Sequence, residues 1–256
     1  MANRYHRYVA IGDSSTEGLD DPDGKGGYRG WADRLAARIA AGQGSLLYAN
    51  LGVRGLRTRQ IRERQLEPAL AMRPDLSTLF TGTNDAVSRR FDPSAVEADL
   101  GFMQRALIAQ GATVVSFTLP DLAGVIPFGR WLSPRVCALN EAIRRACRDS
   151  GALLVDFAAH PVASDIRLWS DDRFHANAIG HALIAHALAN AIGIPGADDS
   201  WMRPFPGDSG ARSTNRTAQW VVRHFVPWAW RHALGKSSGD GRSPKRPRLE
   251  TLVEGT

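Results

Sequence analysis

The sequence predicts an α/β fold, a parallel sheet with helices on both faces. Two observations predict it. Apolar runs of β-type residues recur at Tyr8–Ile11, Leu46–Leu51, Leu76–Thr81, Thr113–Leu119 and Leu153–Phe157. Helical patterns with their own start and stop signals fill the gaps between them. A hydrophobic content of 43% supports a sizeable core for such a sheet.

Taken in order, Tyr8-Val9-Ala10-Ile11 runs straight into Gly12-Asp13-Ser14, so the first strand ends at a glycine turn. Trp31–Ala41 places Leu35 and Ile39 four residues apart and stops before Gly42, as a helix does. Ser94-Ala95-Val96-Glu97 has capping-box spacing and opens a helix that stops near Gly111. Ser133 and Pro134 supply a cap and a first-turn proline ahead of Val136, Leu139 and Ile143, and this helix ends before Gly151. Ala178–Ile192 is the last core helix, closed by Gly193 and Pro195. The elements fit a three-layer α/β/α sandwich around a five-stranded, flavodoxin-like parallel sheet of order 2-1-3-4-5. Residues 1–195 read as this catalytic domain, 196–234 as a Trp-rich helical extension and 235–256 as a disordered basic tail. No internal repeat is present.

Four short blocks carry the chemistry: Gly12-Asp13-Ser14, Gly52, Asn84 within Gly82-Thr83-Asn84-Asp85, and Asp172-Arg173-Phe174-His175. A serine hydroxyl is a poor nucleophile at neutral pH and needs a base within hydrogen-bond reach, itself held by an orienter. Ser14 stands where a strand ends, the end at which open α/β sheets bind ligands. His175 is the candidate base, and Asp172, three residues earlier, can fix its tautomer. An acyl-transfer intermediate also needs donors for its oxyanion. The Ser14 N–H, the Gly52 N–H and the Asn84 amide are the candidates. Any one block has a bland reading as a turn or a helix cap. All four in order point to an acyl-transfer hydrolase.

These blocks resemble those of the SGNH hydrolase superfamily, the GDSL-type esterases and lipases, over roughly residues 5–193. The resemblance implies the same doubly wound fold, with Ser14 as nucleophile, His175 as base, Asp172 as its partner, and Gly52 and Asn84 completing the oxyanion hole. It implies hydrolysis of a small-molecule carboxylic ester or thioester but leaves the substrate open. A rival within the class is a lipid acylhydrolase held at a membrane surface by a helix within 217–234. A rival outside it is an inactive scaffold that binds an acyl group or a glycan.

Loops after the strand ends should line the site. Asp13, Arg54, Phe128 and Trp131 are the candidate substrate contacts. Arg54, with Arg57 and Arg59, could meet an anionic group. Phe128 and Trp131 belong to an apolar loop, Asp121–Leu132, that could form an acyl pocket or lid.

The net charge of +6 is uneven, because residues 196–256 hold ten Lys/Arg against six Asp/Glu. The catalytic region is therefore close to neutral, and no nucleic-acid binding is expected despite Pro244-Lys245-Arg246-Pro247-Arg248. Cys137 and Cys147 fall ten residues apart on one helix, about 15 Å at 1.5 Å per residue, too far for a disulfide. No Cys/His cluster has metal-ligand spacing, so neither metal nor cofactor is expected. The chain begins without an apolar leader, and two reduced thiols suit the cytoplasm, the expected location. The oligomeric state is left open. In the extension, Trp220, Val221, Phe225, Trp228 and Leu234 are interleaved with basic residues. That pattern suits folding back onto the catalytic domain, lying on a membrane surface, or binding a partner.

Overall fold

The computed structural model describes residues 3–121, 123, 125–126, 129–207, 220, 222–223 and 237–253. The five predicted strands form a continuous parallel sheet: β1 (Arg7–Gly12), β2 (Ser45–Asn50), β3 (Leu76–Phe80), β4 (Thr113–Phe117) and β5 (Leu153–Val155). A sixth, β6 (Arg246–Val253), runs antiparallel beside β2, so the order is β5-β4-β3-β1-β2-β6. The predicted order 2-1-3-4-5 is retained within it.

Side chains alternate across each strand, and the alternation divides the core in two. On one face Tyr8, Ala10, Leu46 and Tyr48 pack with Trp31, Leu35 and Ile39 of α2 (Gly30–Gln43) and Leu188 of α7 (Ala178–Ala191). On the other, Val9, Ile11 and Ala49 meet α3 (Thr58–Ala71), α5 (Pro93–Ala109) and α6 (Ser133–Ser150) through Ile61, Met103, Leu107 and Ile143. Every strand of β1 to β4 thus has an apolar cover on both sides. Each large side chain buried there contributes roughly 1.5–3 kcal/mol. Phe80 and Phe117 stack with centroids 4.1 Å apart beneath the carboxyl end of the sheet, and Trp31 meets Phe117 edge-on.

Several expectations are corrected. Residues 237–253 are ordered, not a disordered tail. Leu249 and Leu252 reach the two core clusters, and Lys245 Nζ donates to the carbonyls of Tyr28 and Arg29. These contacts outweigh the Gly/Ser/Pro/Arg composition that suggested disorder. Residues 196–207 belong to the core fold, since Trp201 packs edge-on against Phe157 with centroids 5.2 Å apart. Helix α3 was invisible to periodicity because its buried stripe includes Thr58 and Gln65 and its interior contains Pro68. Helix α5 is capped by Asp92, which accepts from the Ser94 and Ala95 N–H, with Pro93 at the first turn. Asp92 thus displaces Ser94 as the cap. Among the described residues no helix is long and apolar enough to cross a membrane. The proposed interfacial helix at 217–234 lies outside them apart from Trp220, Val222 and Arg223.

Candidate active site

The site is built where β1, β2 and β3 end. Gly12 closes β1 at φ 156°, and a Cβ there would lie 2.2 Å from Thr16 Oγ1 and 2.4 Å from the Phe80 carbonyl, so only glycine allows the chain to turn here. Gln65 of α3 clamps that peptide from both sides. Its Nε2 donates to the Gly12 carbonyl and its Oε1 accepts from the Gly12 N–H, each at 2.9 Å. Asp13 then accepts from the Ser15 N–H at 3.1 Å and caps the single turn α1 (Ser14–Glu17). Ser14 opens that turn, with its Oγ 2.9 Å from His175 Nε2.

His175 Nδ1 lies 2.6 Å from Asp172 Oδ2. The other Asp172 oxygen accepts from Ser170 Oγ at 2.6 Å and from the N–H groups of Phe174 and His175 at 2.9 and 3.0 Å. Burial alone would raise the Asp172 pKa, but these bonds and the nearby imidazole hold it well below the usual carboxylate range. An ionised carboxylate only accepts, so Nδ1 carries the proton and Nε2 is left to accept from Ser14. Burial pushes the His175 pKa down, yet the Asp172 bond and charge, with Asp20 and Asp13 nearby, leave it raised. Asp20 Oδ2 stands 4.0 Å from Nδ1, beyond hydrogen-bond reach.

Asn84 sits on α4 (Thr83–Ala86), one turn after β3. Gly82 makes the elbow at φ 110°, where a Cβ would strike Leu139 at 2.4 Å. The Asn84 amide donates to the Leu56 carbonyl at 2.9 Å and to Asp13 Oδ2 at 3.3 Å. Asp13 is buried, and burial raises its pKa to about 7 against the pull of the Ser15 N–H and His175.

Gly52 does not fit the donor role assigned to it. Its N–H is spent on Asn50 Oδ1 at 2.9 Å, and it does not line the cleft. A Cβ on Gly52 would lie 2.6 Å from the Glu17 nitrogen, so glycine is needed there to let α1 pass. Three residues on, Gly55 lines the cleft at φ 77° beside Ser14 and Asn84. Among the described residues its N–H has no hydrogen-bond partner. Two nearby glycines in one loop look alike in sequence; the left-handed backbone and the free N–H distinguish them.

The cleft occupies about 1140 Å³. Leu168, Trp169, Phe174, Leu183 and Ile184 give the cleft apolar lining, and Arg54, Arg57 and Asp85 give it charged lining. Asp13 lines it, as expected. Arg54 also lines it, but its guanidinium and its N–H both bond Glu17, so its charge is neutralised within the scaffold. Trp131 is 86% exposed and takes no part in the cleft, which removes it as a substrate contact. Its loop turns the smaller Val125 and Ile126 inward instead. Phe128 lies outside the described residues.

A second histidine supports the floor. His181 Nδ1 accepts from the Trp31 N–H at 3.0 Å and Nε2 donates to the Leu19 carbonyl at 2.8 Å. Burial lowers its pKa to about 4. It is a neutral structural group tying α7 to the loop after α1.

Comparison with known proteins agrees with this architecture. The sequence pattern of the GDSL-like lipase/acylhydrolase family matches residues 10–183. An acetylxylan esterase from Geobacillus stearothermophilus is 26% identical over 229 residues, covering 77% of this chain and 96% of the relative. Among solved structures, LAE5, an alpha/beta hydrolase enzyme from the metagenome of Lake Arreo, Spain, superposes with a TM-score of 0.62 at 22% identity, covering 76% of this chain and 97% of its own. TesA superposes with a TM-score of 0.61 at 19% identity, covering 73% and 98%. At these identities the structural likenesses speak to the fold.

Proposed function

The chain belongs to the GDSL-like lipase/acylhydrolase family and is a carboxylic ester hydrolase, and we propose that it works through an acyl-Ser14 intermediate. The observation that carries the reading is the chain of contacts from Ser14 Oγ to His175 Nε2 at 2.9 Å and from His175 Nδ1 to Asp172 at 2.6 Å. His175 takes the Ser14 proton as Oγ attacks the ester carbonyl, and returns it to the departing alcohol. Asp172 holds the ring and stabilises the imidazolium. Water then attacks the acyl-enzyme by the same route, with His175 again the base.

The oxyanion is received by the Ser14 N–H, the Gly55 N–H and one N–H of Asn84. One such donor is commonly worth roughly 3–4 kcal/mol of transition-state stabilisation. The apolar lining of the cleft would take the acyl group or the apolar face of the alcohol. Likeness to an acetylxylan esterase makes short acyl esters of saccharides the first substrates to try. We place the activity in the cytoplasm, where the unpaired thiols of Cys137 and Cys147 stay reduced.

The test is hydrolysis of p-nitrophenyl esters from acetate to palmitate, with Ser14→Ala as the blank. Serine-dependent turnover that peaks at acetate or butyrate is expected. Equal turnover in Ser14→Ala would remove the nucleophile assignment, and a peak at octanoate or beyond would favour a lipid acylhydrolase.

A further inference from the structure

The family pattern stops at residue 183, yet both halves of the catalytic apparatus are braced by residues that come later. Trp220 is 4% exposed, and its indole Nε1 donates to the main-chain carbonyl of Asp172 at 2.9 Å. Its ring stacks on Phe174, with centroids 6.0 Å apart, and packs with Val125 and Ile126. The peptide it holds is that of the residue orienting His175.

A turn at residues 237–240 lies against the Arg54–Gly55 peptides. Ser237 Oγ donates to the Gly55 carbonyl at 3.2 Å. Gly239 packs so closely that a Cβ would lie 2.0 Å from the Arg54 carbonyl oxygen. The turn is itself closed, with the Ser237 N–H donating to Asp240 Oδ2 at 2.9 Å. Lys245 pairs with Asp33 at 3.0 Å just before β6 joins the sheet, so the turn is anchored at its far end as well.

We propose that Trp220 and the turn at residues 237–240 are working parts of the active site, in which Trp220 positions the Asp172–His175 pair and Ser237 with Gly239 positions the Arg54–Gly55 peptides. The inference rests on the acyl-Ser14 reading. Its physical basis is that preorganised donors count only when they are held in place, and loops beyond the strand ends have no sheet bonds to hold them. Glu17 accepts from the Arg54 N–H, while Ser237 and Gly239 hold the Gly55 and Arg54 carbonyls of the same loop. Trp220, Ser237 and Gly239 are positioning residues. They move kcat, because a small misplacement of the donor or the base costs rate more than binding.

The test uses the full chain carrying Trp220→Phe, Ser237→Ala, Ser237→Thr or Gly239→Ala. Each is assayed with p-nitrophenyl acetate across pH, and the His175 Nδ1 proton is followed by NMR. Trp220→Phe is expected to lower kcat by roughly 10- to 100-fold at nearly constant KM. It should also move the acid limb of the profile down toward ordinary imidazole and shift the Nδ1 proton resonance. Ser237→Ala should lower kcat, with Ser237→Thr restoring it, and Gly239→Ala should lower kcat further. Lower melting temperatures with kcat, KM and the acid limb unchanged would make these residues a cover only and overturn the proposal. Wild-type turnover that vanishes in Ser14→Ala tests the underlying reading separately. The Nδ1 resonance reads the Trp220 contact without turnover, and an unmoved resonance in Trp220→Phe also overturns the proposal.

Discussion

Asp13 Oδ2 and Asn84 Nδ2 are 3.3 Å apart, the longer of the two bonds made by the Asn84 amide. N–H···O bonds ordinarily cluster near about 2.9–3.0 Å. The N–H on Asp13 is therefore the weakly held one, and it is the one that can exchange its acceptor for a substrate oxygen. The bond to Leu56 keeps the amide in place while it does so. Asn84→Ala should lower kcat by roughly 10²- to 10³-fold with KM nearly unchanged, measured with p-nitrophenyl acetate.

Asp13 also makes a stability prediction. Its pKa is about 7 in the folded protein, so the native state holds a proton that the unfolded state releases from about pH 4 upward. This group's contribution therefore falls as pH rises through that window. The melting temperature of Asp13→Asn relative to wild type should become more favourable between pH 4 and pH 8. A constant difference across that range would contradict the assignment.

The raised pKa of His175 fixes the direction of the activity profile. The ring must be neutral to accept the Ser14 proton, so kcat/KM should rise with pH through an apparent value above the ordinary imidazole 6.5. Asp172→Asn removes the charge that raises it. The limb should move down, and kcat should fall on the order of 10⁴-fold.

His181 runs with the opposite sign. Its Nδ1 accepts from the Trp31 N–H, so protonation breaks a buried bond. A folded pKa of about 4 against 6.5 unfolded means that stability is lost as pH falls through this range, by about 3 kcal/mol in all. Melting curves of His181→Gln should lack that part of the slope.

Gly52 and Gly55 separate folding from catalysis. Gly52→Ala drives a methyl group into the Glu17 and Thr16 backbone and should cost roughly 1–3 kcal/mol of stability. Gly55→Ala strains a backbone at φ 77° and strikes Ser237 Oγ, so its loss should appear in kcat. Thermal melts run beside steady-state kinetics distinguish the two.

Much of this was legible in the sequence because the signals are local. The five parallel strands are apolar runs, Asp172 and His175 are three residues apart, and Gly12-Asp13-Ser14 follows a strand directly. What was not legible depends on distant partners. Gly52 and Gly55 differ in backbone dihedral, in what their N–H groups meet and in what packs against them, all of it set by distant residues. Trp131 reads as an apolar contact, yet it turns outward while Val125 and Ile126 turn in. Arg54 reads as a free cation until Glu17 is found against it. β6 carries no clear period, because only Leu249 and Leu252 reach the core and most of its other side chains are exposed.

The pairing of β6 with β2 joins Ser45 to Val253, residues 208 positions apart. Closing so long a loop costs entropy that only an existing template can repay, so β2 must already be seated on β1 before β6 can add. The expected order of assembly is therefore the parallel core first and its outer edge last. In a refolding experiment, burial of Trp31 should precede the return of turnover, and the interval between them should lengthen when Lys245→Ala removes the anchor beside β6.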